Sequence, residues 1–232
     1  LLVAGLWNAT IGGAVFRPLA FRAGQPILVA GVGLSVVLQE FLARAQGVRD
    51  LLLPGSDARP ILLADGDPNL YVAPARLAAL GVGTAAVVAM LVLFPRSGFG
   101  RRWRAVADDR LMAAMLGIDA RAVLVATFAL AGLAAGLAGA LMVLSFGAVS
   151  FHDGTLFGLK SVTAAVVGGM GSLPGAVAGG LLVAAIEAAW TVAVGAEWRD
   201  AAVYALLAAM LVLRPEGLFG SPLAPRSGDD RG

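Results

Sequence analysis

Charged residues divide this chain into long uncharged stretches, and that division constrains the fold more than any other feature. The stretches run over 1–16, 23–39, 77–95, 122–152, 161–186 and 201–213. A helix needs roughly 20 predominantly apolar residues to cross a hydrocarbon core of about 30 Å. The second, third and fourth stretches reach that length with their flanks. The stretch 201–213 approaches it by starting near Trp198, a residue type suited to the membrane interface. The period-two alternation of strands is absent, and lipid offers no water to unpaired backbone groups. The expected fold class is therefore all-α, a polytopic transmembrane helix bundle. Charged residues make up 14% of the chain, against about 25% in an ordinary soluble domain. With no cysteine as well, a soluble monomer, a disordered chain and a disulfide-stapled secreted domain are excluded. A formal net charge of +2 gives no reason to expect a nucleic-acid partner.

Residue 1 is Leu, and the chain opens inside an apolar stretch without the basic region and cleavage site of a signal peptide. The stretch 1–16 is expected to be an internal transmembrane segment of a longer parent chain. Arginine sets the expected orientation. If the spans alternate, Arg17, Arg22, Arg96, Arg101, Arg102, Arg104, Arg110, Arg121, Arg214, Arg226 and Arg231 share one face. The positive-inside rule makes that face cytoplasmic. The opposite face receives the loop 44–76 and the turns 151–160 and 196–200.

The segment after residue 160 must then begin and end on the outer face. A continuous helix over 161–192 would be about 48 Å long and would end on the wrong side. Gly168, Gly169, Gly171, Ser172, Pro174 and Gly175 supply a break. The expectation is a short inbound helix, a glycine-proline turn and an outbound helix. Broken helices at membrane depth point to a transport pathway, and a plain tight turn between packed helices is the structural alternative.

In the loop 96–121, Trp103, Ala107, Leu111 and Met115 are spaced four apart, as on one side of a short amphipathic helix, and Gly117 suits its C-terminal stop. Such a helix lies on the bilayer or docks a cytoplasmic partner. Asp108 and Asp109 favour the partner, because an anionic leaflet repels acidic groups.

RAVADDRLMAAMLGI (104–118) resembles the cytoplasmic coupling segment of the branched-chain amino acid ABC-transporter permeases. KSVTAAVVGGMGSLPGAVAGGLLVAAIEA (160–188) resembles their glycine-rich signature, and 16–39 and the LRPEGLFG tail (213–220) follow the same order. The resemblance covers nearly the whole chain and is nearer the shorter permease type; permeases for urea and short amides share these motifs. The Asn-Phe-Ala-His-Gly run that members carry near the N-terminus is missing here, so its contribution is assigned to no residue.

The resemblance implies one transmembrane permease domain over 1–232, with a cytoplasmic coupling loop at 96–121 and a cytoplasmic tail at 214–232. It implies a non-catalytic subunit in a bacterial inner membrane. Its expected partners are cytoplasmic ATP-binding subunits, a second permease subunit and a periplasmic solute-binding protein. Arg104, Asp108, Asp109, Leu111, Met115 and Gly117 are the expected ATPase-coupling residues. Candidates for the translocation pathway are Lys160, Thr163, Gly168, Gly169, Gly171, Ser172, Gly175 and Glu187. No G-x-x-x-x-G-K-S/T phosphate loop is present, so if transport is ATP-driven the nucleotide chemistry belongs to another chain.

Several residues keep two readings. Lys160, the only lysine, is a snorkelling end anchor or part of the solute path. Glu187 lines a cavity, pairs with a neighbour or sits near the interface beside Trp190. Gly132, Gly136 and Gly139 suit close helix packing. Ser145, Ser161, Thr163 and Ser172 bond a solute or a neighbouring helix. His152 is the only histidine, so neither a metal site nor a Ser-His-Asp set is expected, and no cofactor is implied. An ion-coupled secondary transporter would need intramembrane carboxylates, for which Glu187 is the one candidate. A lipid-surface scaffold would need neither an ATPase nor the glycine break.

Overall fold

A computed structural model describes residues 1–19, 25–46, 51–52, 61–64, 70–150, 153–169, 171–214 and 217–220. His152, Arg22, Arg226, Arg231 and most of the loop 44–76 lie outside these described residues. The chain forms two compact units, Leu1–Phe151 and His152–Gly232.

In the first unit, α1 (Leu2–Ile11) continues through a π-helical turn (Gly12–Phe16) into the short α2 (Arg17–Leu19), and α3 (Gln25–Gln46) follows. Two short ribbons come next: β1 (Leu51–Leu52) pairs with β4 (Ala148–Val149), and β2 (Ile61–Ala64) pairs with β3 (Leu70–Val72), both antiparallel. Strands of two to four residues are too short to print a periodicity, which is why the sequence shows only loop there. The long helices are α4 (Pro74–Arg96) and α7 (Ala120–Phe146), joined through α5 (Gly98–Asp108) and α6 (Arg110–Met115). Helix α1 lies along α7. A Cβ at Gly132 would collide with the Ala4 carbonyl and the Asn8 side chain, so the small residue sets the close approach. Gly136 meets Ala4 in the same way, whereas Gly139 faces open space. Phe16 stacks on Phe128 with ring centres 4.8 Å apart.

The second unit contains α8 (Asp153–Gly168), α9 (Leu173–Ala193), a 3-10 turn (Ala196–Trp198) and α10 (Arg199–Leu213). Helices α8 and α9 form the expected broken hairpin, and α10 packs against both. Val167, Val183, Ala202, Val203 and Thr163 are buried among them. Two boundaries differ from the sequence reading. Residues 153–160, expected in a turn, are the first two turns of α8, and Arg199 and Asp200, expected in a turn, open α10. The cause is the same in both places. A charge solvated alone marks a helix end, but here charges on different helices pair with one another, so the helices run through them.

Among the described residues, α4, α7 and α9 are long and apolar enough to cross a membrane. Leu80, Leu93, Leu181 and Val192 are all more than half exposed. Water would penalise that apolar surface, and hydrocarbon does not. The architecture is thus an all-α membrane bundle whose helices present apolar surface outward.

Backbone contact between α8 and α9 depends on Gly179, where a Cβ would land on the Ala164 carbonyl oxygen, while Gly180 beside it has its nearest neighbour 4.0 Å away. Gly179→Ala is expected to destabilise the detergent-solubilised protein by about 2 kcal/mol. Gly180→Ala is expected to be neutral or stabilising by about 0.5 kcal/mol, from helix propensity. Thermal unfolding of the two variants side by side measures the difference.

Candidate functional site

The α5–α6 segment, which holds the expected coupling residues, starts where α4 ends. Pro95 is the last residue but one of α4, and the carbonyls near the helix end lack partners within the helix. Arginines take them up: Arg104 Nη2 donates to the Pro95 carbonyl at 2.9 Å and Arg101 Nη1 to the Arg96 carbonyl at 2.9 Å. Ser97 caps α5, its Oγ accepting from the Gly100 N–H at 2.9 Å. Phe94 meets Phe99 and Trp103 edge-on, with ring centres 5.8 and 5.7 Å apart. Helix α5 is thereby pinned to the end of α4, and Trp103 is turned toward the protein.

The sequence predicted one helix across 101–117, and the structure breaks it at Asp109. That residue is extended (φ −148°, ψ 111°), and its Oδ1 accepts from the N–H groups of Leu111 at 2.8 Å and Met112 at 3.1 Å. Asp109 is thus the N-cap of a separate helix α6, where a negative charge also suits the helix dipole. The four-residue spacing therefore does not gather Trp103, Ala107, Leu111 and Met115 on one side: Trp103 packs on Phe94, while Leu111 and Met115 are 76% and 78% exposed. Met112 and Leu116 are exposed beside them, and Ala113 is the buried anchor. Gly117 ends α6 as expected, at φ +78°. Its N–H donates to the Ala114 carbonyl at 3.0 Å and that of Ile118 to the Ala113 carbonyl at 2.9 Å, a Schellman stop. Asp119 then caps α7 through the Arg121 N–H at 2.8 Å. Asp108 is exposed at the end of α5. A cavity of about 370 Å³ opens between α5 and α7, lined by Trp103, Val106, Ala107, Arg110, Val123 and Phe128 among others.

In the second unit the expected pathway residues fall into two groups. The glycine turn is closed by the chain itself. After α10, the Leu218 and Phe219 N–H groups donate to the Val167 and Gly168 carbonyls at 2.9 Å each. Gly169 is at φ +106°, and a Cβ there would strike the Gly220 backbone; one at Gly168 would strike the Gly175 carbonyl. Ser172 caps α9, its Oγ accepting from the Gly175 N–H at 3.1 Å. Gly171 has open space around it. The hydroxyls of Ser145, Ser161 and Thr163 bond carbonyls of their own helices. The segment following α10 therefore covers the end of α8 through a backbone seam, a contact that no local sequence pattern announced.

Lys160, midway along α8, and Glu187, in the second half of α9, form the second group, away from the glycine turn. Lys160 Nζ lies 2.7 Å from Glu187 Oε1 and 2.8 Å from Asp200 Oδ1, and Arg199 Nε lies 2.8 Å from the same Glu187 oxygen and 3.8 Å from Asp200 Oδ1. The Lys160 side chain is only 12% exposed and that of Glu187 21%. Lys160 Nζ also stands 5.9 Å from the centre of the Phe157 ring. Two cations and two anions cancel, which makes charge tolerable on helices that face an apolar medium. Of the readings open for Glu187, pairing is the one the structure adopts. Arg199 and Asp200 were missed because they read as part of an outer turn. The available signal was Lys160 and Glu187 themselves: two isolated opposite charges in apolar helices each require a partner.

These elements can be set beside known proteins. The family described as the branched-chain amino acid transport system permease component matches residues 1–213. The chain is 30% identical over 223 residues to the high-affinity branched-chain amino acid transport system permease protein LivH of Salmonella typhimurium, covering 96% of this chain and 72% of that protein. LivH of Escherichia coli matches over the same shares at 30% identity. BraD of Pseudomonas aeruginosa, a permease protein of the same description, is 32% identical over 225 residues, covering 96% of this chain and 73% of its own. No solved structure matches. The α5–α6 segment, the glycine hairpin and α10 all fall inside the matched residues, and the chain belongs to the family of branched-chain amino acid transport system permease components.

Proposed function

We propose that this chain is the membrane-spanning permease subunit of an ATP-driven importer that moves branched-chain or related amino acids across a bacterial inner membrane. The family match over residues 1–213 carries the reading. On this reading, 1–232 acts as one permease domain, with 96–121 as a cytoplasmic coupling loop and 214–232 as a cytoplasmic tail. ATP-binding subunits hydrolyse the nucleotide, a periplasmic binding protein delivers the solute, and a second permease subunit completes the pathway.

The coupling residues have a physical division of labour in this proposal. Leu111, Met112, Met115 and Leu116 offer an apolar patch on α6 for a groove of the ATP-binding subunit. Asp109 and Gly117 fix both ends of α6, Arg104 holds the end of α4, and Asp108 stands at the α5–α6 corner. A helix capped at both ends resists compression, so a push on α6 passes to α7 through the short connection 116–119 rather than being absorbed locally. In the second unit, Lys160, Thr163, Gly168, Gly169, Gly171, Ser172, Gly175 and Glu187 shape a hairpin beside the solute route. Their role there is to set its form, since Gly168, Gly169 and Gly175 are covered by backbone or by Phe219.

In vesicles holding the assembled transporter and its binding protein, ATP is expected to drive uptake of radiolabelled leucine, valine or isoleucine and not of urea; urea uptake alone would move the chain to the amide branch. Leu111→Asp combined with Met115→Asp is expected to lower uptake at least tenfold with normal insertion, since each replaces an apolar contact worth about 1–3 kcal/mol. Removing the cap with Asp109→Ala is expected to cost about 1 kcal/mol of α6 stability and a smaller share of uptake.

The chain contains no cysteine, so a single Ala107→Cys reports orientation cleanly. An impermeant maleimide is expected to label it from the cytoplasmic side only, and labelling from outside would invert the topology.

A further inference from the structure

We propose that Arg199 and Asp200 are positioning residues for translocation: with Lys160 and Glu187 they latch the α8–α9 hairpin, at the middle of α8, to the first turn of α10, so that the three helices move as one body. This inference rests on the permease reading above.

The four charges come from three helices, one from α8, one from α9 and two from α10. The pairs divide by task. Lys160–Glu187, at 2.7 Å, ties α8 to α9 and would hold the hairpin together alone. Lys160–Asp200 and Arg199–Glu187, at 2.8 Å each, tie that hairpin to α10. At the far end of the same helices, the Leu218 and Phe219 N–H groups bond the end of α8. The hairpin is therefore tied at two separated places, by charge to the first turn of α10 and by backbone to the segment that follows α10. A bundle joined at two separated places cannot splay by bending at one of them.

Lys160 and Glu187 are largely buried, so moving α10 away would strip each of one charged partner and leave them only each other. A packed unit with two discrete arrangements transmits a displacement, whereas a compliant one absorbs it.

The test is the paired substitution Arg199→Gln with Asp200→Asn in the complete transporter. It removes one charge of each sign and leaves Lys160–Glu187 in place, so the hairpin keeps its own pair. Uptake per inserted transporter is expected to fall about tenfold with KM unchanged while ATP hydrolysis continues. Arg199→Lys, which keeps the cation, is expected to retain more than half of the uptake. Hydrogen exchange on the paired variant Arg199→Gln with Asp200→Asn is expected to show protection lost together at 157–163, 187–193 and 199–203. A raised KM with intact maximal rate would overturn the proposal in favour of solute contact. Loss of uptake matched by loss of inserted protein would overturn it in favour of a purely structural role. If the unsubstituted transporter moves no branched-chain amino acid, the solute reading fails by itself and exchange decides the latch: joint loss supports it, and loss confined to 199–203 overturns it.

Discussion

Hydrocarbon supplies no partner for a charge or a backbone amide, and a helix end leaves carbonyls unbonded. At three irregular points among the described residues, the chain closes the gap itself. The carbonyls freed at the end of α4 are taken by Arg101 and Arg104. The carbonyls of Val167 and Gly168, at the end of α8, are taken by the Leu218 and Phe219 amides. The charges of Lys160 and Glu187 are taken by each other and by Arg199 and Asp200. The first repair is local, but the other two join elements tens of residues apart, so the condition that makes the chain tolerable in lipid also ties α8, α9 and α10 together.

Small residues carry the complementary half of the design. Lipid gives little reason for apolar helices to associate, so affinity between helices comes from close approach. Gly132 admits α1 to α7, and Gly179 admits α8 to α9. The same logic explains the glycine turn. Gly168 and Gly169 look like a flexible or solute-facing break in one dimension, yet in three dimensions they are where two stretches of backbone touch.

The α5–α6 segment shows what happens when a local pattern competes with a cap. A spacing of four over Trp103 to Met115 argues for one helix, but Asp109 accepts two backbone amides and restarts the chain in a new direction. The consequence for function is an exposed apolar patch on α6 separated from the aromatic anchor that fixes α5. On the proposed function, the anchor on α5 holds one end of the segment and the patch on α6 takes the push.

The sequence by itself determined the fold class, the long helices and the interruption between 168 and 175. These follow from charge spacing, apolar length and backbone-breaking residues, all of which are local in the chain. It also carried the family, because the coupling segment and the glycine run stand in order. Only the tertiary structure decided which charges meet, what fills the glycine turn and where the helix ends at charged residues fall. Those outcomes depend on side chains and backbone tens of residues apart, and a hydropathy pattern records how apolar a residue is, not which neighbour satisfies it.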